Sequence, residues 1–114
     1  MTTNIINLTG HEVNLVDPHG QLIRQWPKCD EPLRLIETQV GPSESVDGIP
    51  LHHIQFDTET ALPPQVGDTY YIVPTVVQIY YPERSDFITA HELQRDERGM
   101  IIGCLSFRSI SAGR

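Results

Sequence analysis

The chain has 114 residues, a formal net charge of −7 and only two cysteines. This length predicts a single domain over residues 1–114, and the acidic balance argues against a protein that coats duplex DNA or long RNA. The separated cysteines exclude a disulfide scaffold and indicate a reducing, cytoplasmic setting. No apolar run approaches the roughly 20 residues that span a bilayer, so no membrane partner is expected. A small phosphorylated ligand stays possible, because a pocket can gather a few arginines.

Most of the first half of the chain is predicted to form short strands. The apolar or alternating residues typical of strands occupy residues 5–8, 13–16, 22–26, 33–38 and 49–56. The sequence DPHG at 17–20 predicts a turn, which makes the two strands around it a hairpin. Residues 41–48 are polar and turn-forming and predict a loop. Arg34 is expected to face either solvent or a cleft.

The most apolar β-forming run lies at residues 69–73, and it is predicted to be the central strand. Pro74 cannot continue a strand ladder but suits the start of a helix. The sequence therefore predicts one short helix over 75–81, ended by Pro82.

The last third of the chain begins with a charged segment. Residues 83–99 are predicted to form an irregular loop in which Thr89 caps one turn, and the tetrad at 96–99 predicts a hairpin turn. A final strand is expected at 100–107. The fold class predicted is α+β, mainly β: a compact single domain of antiparallel strands, with one short helix after the central strand.

Candidate chemistry begins with the segment Asn7-Leu8-Thr9-Gly10-His11. An imidazole titrates near neutral pH and can accept a proton from a hydroxyl group, so His11 is a candidate general base. Asn7 and Thr9 are candidate ligand-binding residues beside it. The alternative interpretation is an Asx or Ser/Thr turn that carries a surface histidine.

A second candidate cluster contains Arg84, Asp86, Arg95 and Asp96. Guanidinium groups bind phosphate or carboxylate with two parallel hydrogen bonds, so this cluster and Arg34 are candidate ligand-binding residues. The alternative is an ordinary salt-bridged loop.

Cofactors and metals are not expected. His52 and His53 are neighbours on a predicted strand, so they point to opposite faces and do not form a metal site. The chain has no glycine-rich phosphate loop for ATP or NAD. Cys104 is predicted to be a small core residue.

Four short motifs resemble those of a family of small bacterial and phage proteins that commonly open with Asn-Leu-Thr-Pro-His. They are Asn7-Leu8-Thr9-Gly10-His11, Val46-Asp47-Gly48-Ile49-Pro50, Tyr71-Ile72-Val73, and the run from Arg95-Asp96-Glu97 to Gly103-Cys104. The resemblance extends over nearly the whole chain. This chain departs from the pattern with Gly10 in place of proline and Pro74 in place of a common serine.

Many sequences of this kind have no assigned activity, but the family looks like the ring nucleases that phages and CRISPR-bearing bacteria use against cyclic oligoadenylate signals. The resemblance implies a homodimer around a cyclic ligand and a metal-independent cleavage. In that reaction a ribose 2′-hydroxyl attacks the adjacent phosphate, His11 assists proton transfer, and Arg84 or Arg95 stabilises the phosphoryl charge. Two alternatives stay open: a nucleotide-signal sponge that does not cut its ligand, and a protein-interaction domain whose acidic surface engages a basic partner.

Overall fold

The computed structural model describes residues 3–110, which form ten strands and one short helix. The strands are β1 (Asn4–Asn7), β2 (Val13–Val16), β3 (Leu22–Trp26), β4 (Leu35–Gln39), β5 (Glu44–Val46), β6 (Ile49–Leu51), β7 (Ile54–Thr58), β8 (Thr69–Ile72), β9 (Phe87–Arg95) and β10 (Ile101–Ser109). The helix is α1 (Thr75–Tyr80). The fold is mainly β with one short helix, as the sequence predicts. No helix in this part of the chain is long and apolar enough to cross a membrane.

Six strands form one mixed sheet in the order β1, β8, β9, β10, β2, β3. The pairs β1–β8, β8–β9 and β2–β10 are parallel, whereas β9–β10 and β2–β3 are antiparallel. The prediction of an antiparallel sheet is therefore wrong. Short turns specify only the hairpins between neighbouring strands, and the parallel pairs join strands that are distant in sequence. β8 is the second strand from an edge, so the prediction that it is central is also wrong.

The parallel pairing of β2 with β10 depends on Gly103. A Cβ atom there would lie 2.8 Å from the backbone oxygen of Asn14 and 2.9 Å from Cγ1 of Val16. The missing side chain lets the two backbones approach closely.

The core has two parts, one on each face of the main sheet. Tyr71 pairs with Phe87 and Ile72 pairs with Ile88, and consecutive strand residues point to opposite faces. One cluster of buried residues contains Leu33, Tyr71, Val73, Val77 and Phe87, and the other contains Val13, Trp26, Ile72 and Ile88. Val77 belongs to α1, so the helix covers the first of these two faces.

Both predicted hairpin turns are confirmed, and they share one design. Asp17 Oδ1 accepts hydrogen bonds from the backbone N–H groups of His19 and Gln21. In the same way, Asp96 Oδ1 accepts hydrogen bonds from the backbone N–H groups of Arg98 and Met100. Gly20 and Gly99 have φ values of 86° and 81°, which glycine adopts without steric cost. The turns therefore fix the β2–β3 and β9–β10 hairpins.

The charged segment 83–99 is not the predicted irregular loop. Most of it is the nine-residue strand β9, and Thr89 is buried within that strand instead of capping a turn. Thr89 Oγ1 donates a hydrogen bond to Oε1 of the buried Gln78 on α1, and Gln78 Nε2 donates to the backbone oxygen of Phe87. Of the eight charged residues of this segment only Glu92 and Arg95 lie on β9, and the other six flank the strand at its two ends, which obscures it in the sequence.

Residues 35–58 form one long, interrupted hairpin outside the main sheet, which we call the arm. β4 pairs with β7 at its base and β5 pairs with β6 at its tip. Asp47 and Gly48 join β5 to β6 with φ values of 54° and 77°. The predicted loop at 41–48 therefore contains a strand, and the predicted strand at 49–56 is broken at His52 and His53.

The arm makes the molecule extended. The radius of gyration is 17.6 Å and the principal extents are 54 × 39 × 34 Å, whereas a compact domain of this length has a radius of gyration of about 13 Å. The prediction of a compact domain is wrong, because nearly all side chains of residues 35–58 are exposed instead of packing on the body.

Candidate functional site

The N-terminal motif is a closed hydrogen-bonded loop at the end of β1. Asn7 Oδ1 accepts hydrogen bonds from the backbone N–H of Thr9 at 2.9 Å and from its hydroxyl at 2.6 Å. Asn7 Nδ2 donates to the backbone oxygens of His11 and Pro27, each at 2.9 Å. Both Asn7 and Thr9 are buried. Their side chains hold the loop against the end of β3, and this is the contact pattern that the alternative turn interpretation predicts.

His11 is exposed and lies at the rim of a pocket of about 170 Å³ between β2, β9 and β10. Its Nδ1 atom is 3.2 Å from the backbone oxygen of Glu12. The other lining residues are mostly apolar, including Leu93, Ile101 and Cys104, and none of the ten is Lys or Arg. Pockets for small-molecule ligands usually measure about 300–1,000 Å³. This pocket is therefore small for a nucleotide, and no Lys or Arg of residues 3–110 lines it.

Arg84 and Asp86 form a two-pronged ion pair in which Asp86 is buried and Arg84 is partly exposed. Arg84 Nε donates to Asp86 Oδ1 at 2.9 Å and Nη2 donates to Oδ2 at 2.8 Å, while the two side chains are only 14% and 6% exposed. Nη2 also donates to the backbone oxygen of Pro63, and the guanidinium carbon lies 4.3 Å from the ring centre of Phe87. The hydrogen bond to Asp86 raises the pKa of Arg84, although burial opposes the shift. The guanidinium charge is already neutralised within the fold.

Arg95 and Asp96 lie at the other end of β9. Arg95 Nη1 donates to the backbone oxygen of Gly99 at 2.8 Å, and both residues line an open concavity of about 480 Å³ between the two hairpin turns. The nine residues of β9 separate this end from Asp86 by about 25 Å, given the rise per strand residue. One phosphate group cannot contact both arginine clusters.

The predicted site residues therefore do not form one cluster in the structure. Asn7 and Thr9 contact the backbone of His11, Arg84 contacts Asp86, and Arg34 is exposed and lines neither pocket. Of the eight predicted residues, His11 alone lines the smaller pocket, and Arg95 and Asp96 line the larger one. Within residues 3–110, no group of three or more His, Cys, Asp or Glu side chains is placed to hold a metal ion.

Comparison with known proteins finds no matching family model, no similar curated protein and no similar solved structure. The resemblance drawn from the four motifs, and the fit to a ring nuclease, therefore stay predictions. The remaining evidence about function comes from the surface of the molecule itself.

The arm carries the most prominent unpartnered apolar surface. At its tip, Val46 pairs with Ile49, and Leu51 lies two pairs further along, on the same face. These side chains are 52%, 65% and 43% exposed, respectively. At the base, Phe56 packs edge-to-face on Tyr80 of α1 with 5.6 Å between ring centres, which anchors the arm to the body. Large apolar side chains grouped in this way on a protruding hairpin are typical of an interaction surface.

The arm is also acidic. Residues 35–58 contain Glu37, Glu44, Asp47 and Asp57 and no Lys or Arg, so they contribute −4 of the net charge of −7. Sequence reasoning missed this surface because it treated the segment as a loop and a separate strand. The signal was the Asp47-Gly48 dipeptide, a common type I′ hairpin sequence, between two runs of β-forming residues.

Proposed function

We propose that this protein is a protein-interaction domain that docks onto its partner with the arm. The observation that carries the proposal is the apolar face formed by Val46, Ile49 and Leu51 on a hairpin that stands outside the main sheet. The other apolar face of interest, the pocket beside His11, is about 170 Å³ and lacks a Lys or Arg side chain.

Energetics support a bound arm. An isolated two-stranded hairpin is at best marginally stable in water, because it cannot bury its apolar side chains. Fully burying one Val, Leu or Ile side chain stabilises an assembly by about 1.5–3 kcal/mol before the entropic cost of association. The three tip residues therefore supply a useful binding free energy, and the other face of the tip carries Ser45 and Pro50.

The test uses a photo-crosslinking amino acid at position 49, in the cells that produce the protein. Val66 provides a matched control position, because it is an exposed apolar residue outside the arm. We expect a discrete protein adduct from position 49 that is at least about fivefold stronger than from position 66, and its loss in a V46S/L51S background, because those changes remove the apolar contact. Equal or absent adducts at both positions would reject the proposal.

Cleavage of a cyclic oligoadenylate is a second candidate function, and the observation in its favour is that His11 lies at a pocket rim. The purified protein and its His11→Ala variant are incubated with cyclic tri-, tetra- and hexa-adenylate in excess chelator. General acid–base catalysis by His11 predicts a loss of about a hundredfold or more in rate for the variant. Intact rings after prolonged incubation would reject catalysis, and recovery of bound but unaltered ligand would identify a sponge.

A further inference from the structure

We propose that the arm docks on the free edge of β3 in a second copy of this chain, so that two copies exchange arms. This inference rests on the proposed function, because it names the partner of the arm. It also specifies which surface of that partner is used.

β3 is the last strand of the main sheet, so within residues 3–110 no strand lies beside the outer edge of its backbone. Such an edge presents free N–H and C=O groups that pair readily with a strand from another chain. Leu22 and Ile23 on β3 are 58% and 61% exposed. The edge therefore offers backbone hydrogen bonds and apolar contacts together.

Charge distinguishes β3 as the receiving surface. β3 itself carries the exposed Arg24 and no acidic residue, and the exposed Lys28 follows two residues after its end, whereas the nearest acidic residues in sequence, Asp17 and Asp30, lie beyond the two ends of the strand. The arm has four acidic residues and no Lys or Arg. An acidic apolar hairpin and a basic apolar edge are complementary, whereas direct contact between two arms would bring like charges together.

The topology allows this exchange to close. Within one copy, β3 and the arm strands belong to separate sheets, so neither satisfies the other. In a two-fold dimer each copy contributes one arm and receives one, and every contact occurs twice. The exchange would thus cover both arms and both β3 edges within one pair of copies, while the β1 edge at the other end of each sheet takes no part in it.

Sedimentation equilibrium of the purified chain tests the inference. We expect a mass of twice 12.9 kDa at micromolar concentration. The charge-reversed variants R24E/K28E and E37K/E44K should each raise the dissociation constant at least about tenfold. The fourfold variant that carries both pairs restores opposite charges, so its dissociation constant should return to within about threefold of the original.

Arg98→Glu, in the exposed β9–β10 turn, is the control and should leave the mass unchanged. Circular dichroism of each variant checks that it folds. A monomer at every concentration, or a dimer insensitive to the paired reversals, would overturn the exchange of arms. The two proposals can fail separately, because a crosslink from position 49 to a different protein would still support docking by the arm.

Discussion

Replacing Asn7 by alanine is expected to lower the free energy of unfolding by about 3–4 kcal/mol, because a typical hydrogen bond contributes about 1 kcal/mol and an unpaired buried group costs more. The side chain makes four hydrogen bonds, to Thr9, His11 and Pro27. Its loss leaves the buried hydroxyl of Thr9 and the backbone oxygen of Pro27 without these bonds. Urea unfolding followed by tryptophan fluorescence measures the change, since Trp26 adjoins Pro27.

His11→Ala is the matched control within the same motif. His11 is exposed, and the hydrogen bond that its side chain makes among the described residues is with the backbone oxygen of Glu12. We expect its stability to change by less than about 0.5 kcal/mol, as is usual for surface substitutions. A stable Asn7→Ala protein would contradict a structural role for the motif. If that protein also lost binding of a nucleotide, Asn7 would be a ligand-binding residue, as the sequence predicts.

The parts of the fold that are encoded locally could be predicted from the sequence. Asp17 and Asp96 each precede a glycine by three residues, and both turns form as expected because the same short-range hydrogen bonds specify them. The helix after Pro74 was predicted within one residue of its observed end. In each case the residues that fix the backbone lie within a few positions of one another.

The sheet order could not be predicted in this way, because it depends on contacts between distant residues. Gly103 is required where β10 approaches Asn14, but a glycine in an apolar run does not identify the strand that it faces. The hairpin of the arm was not predicted, for a related reason. Its apolar residues alternate as in a half-buried sheet, so the sequence predicts a separate strand at 49–56 after a loop at 41–48, whereas the structure joins both segments in one exposed hairpin.

The roles of the candidate site residues could not be predicted from the sequence either. The residue types around Asn7 and Arg84 suit both ligand binding and structural hydrogen bonding, and sequence spacing does not distinguish the two. In the described structure Asn7 bonds to backbone groups and to the Thr9 hydroxyl, and Arg84 bonds to Asp86 and Pro63. Both side chains therefore donate hydrogen bonds to backbone oxygens of neighbouring segments.

The second large effect is expected at the ion pair between Arg84 and Asp86. Asp86→Ala should lower the free energy of unfolding by about 3–5 kcal/mol, the usual cost of leaving one charge of a buried pair uncompensated. The Asp86 carboxylate accepts both hydrogen bonds from Arg84, and the two side chains are only 14% and 6% exposed. Thermal and urea unfolding of the variant measure the loss.

A double-mutant cycle separates the ion pair from the other contacts of Arg84. Arg84→Ala also removes the bond to Pro63 and the packing on Phe87, so it should cost at least as much as Asp86→Ala. The R84A/D86A variant should be more stable than the sum of the single effects predicts, by about 1–3 kcal/mol, because neither charge is left alone. Additive effects would contradict direct coupling between Arg84 and Asp86. They would free the guanidinium group for the phosphate-binding role that the sequence predicts.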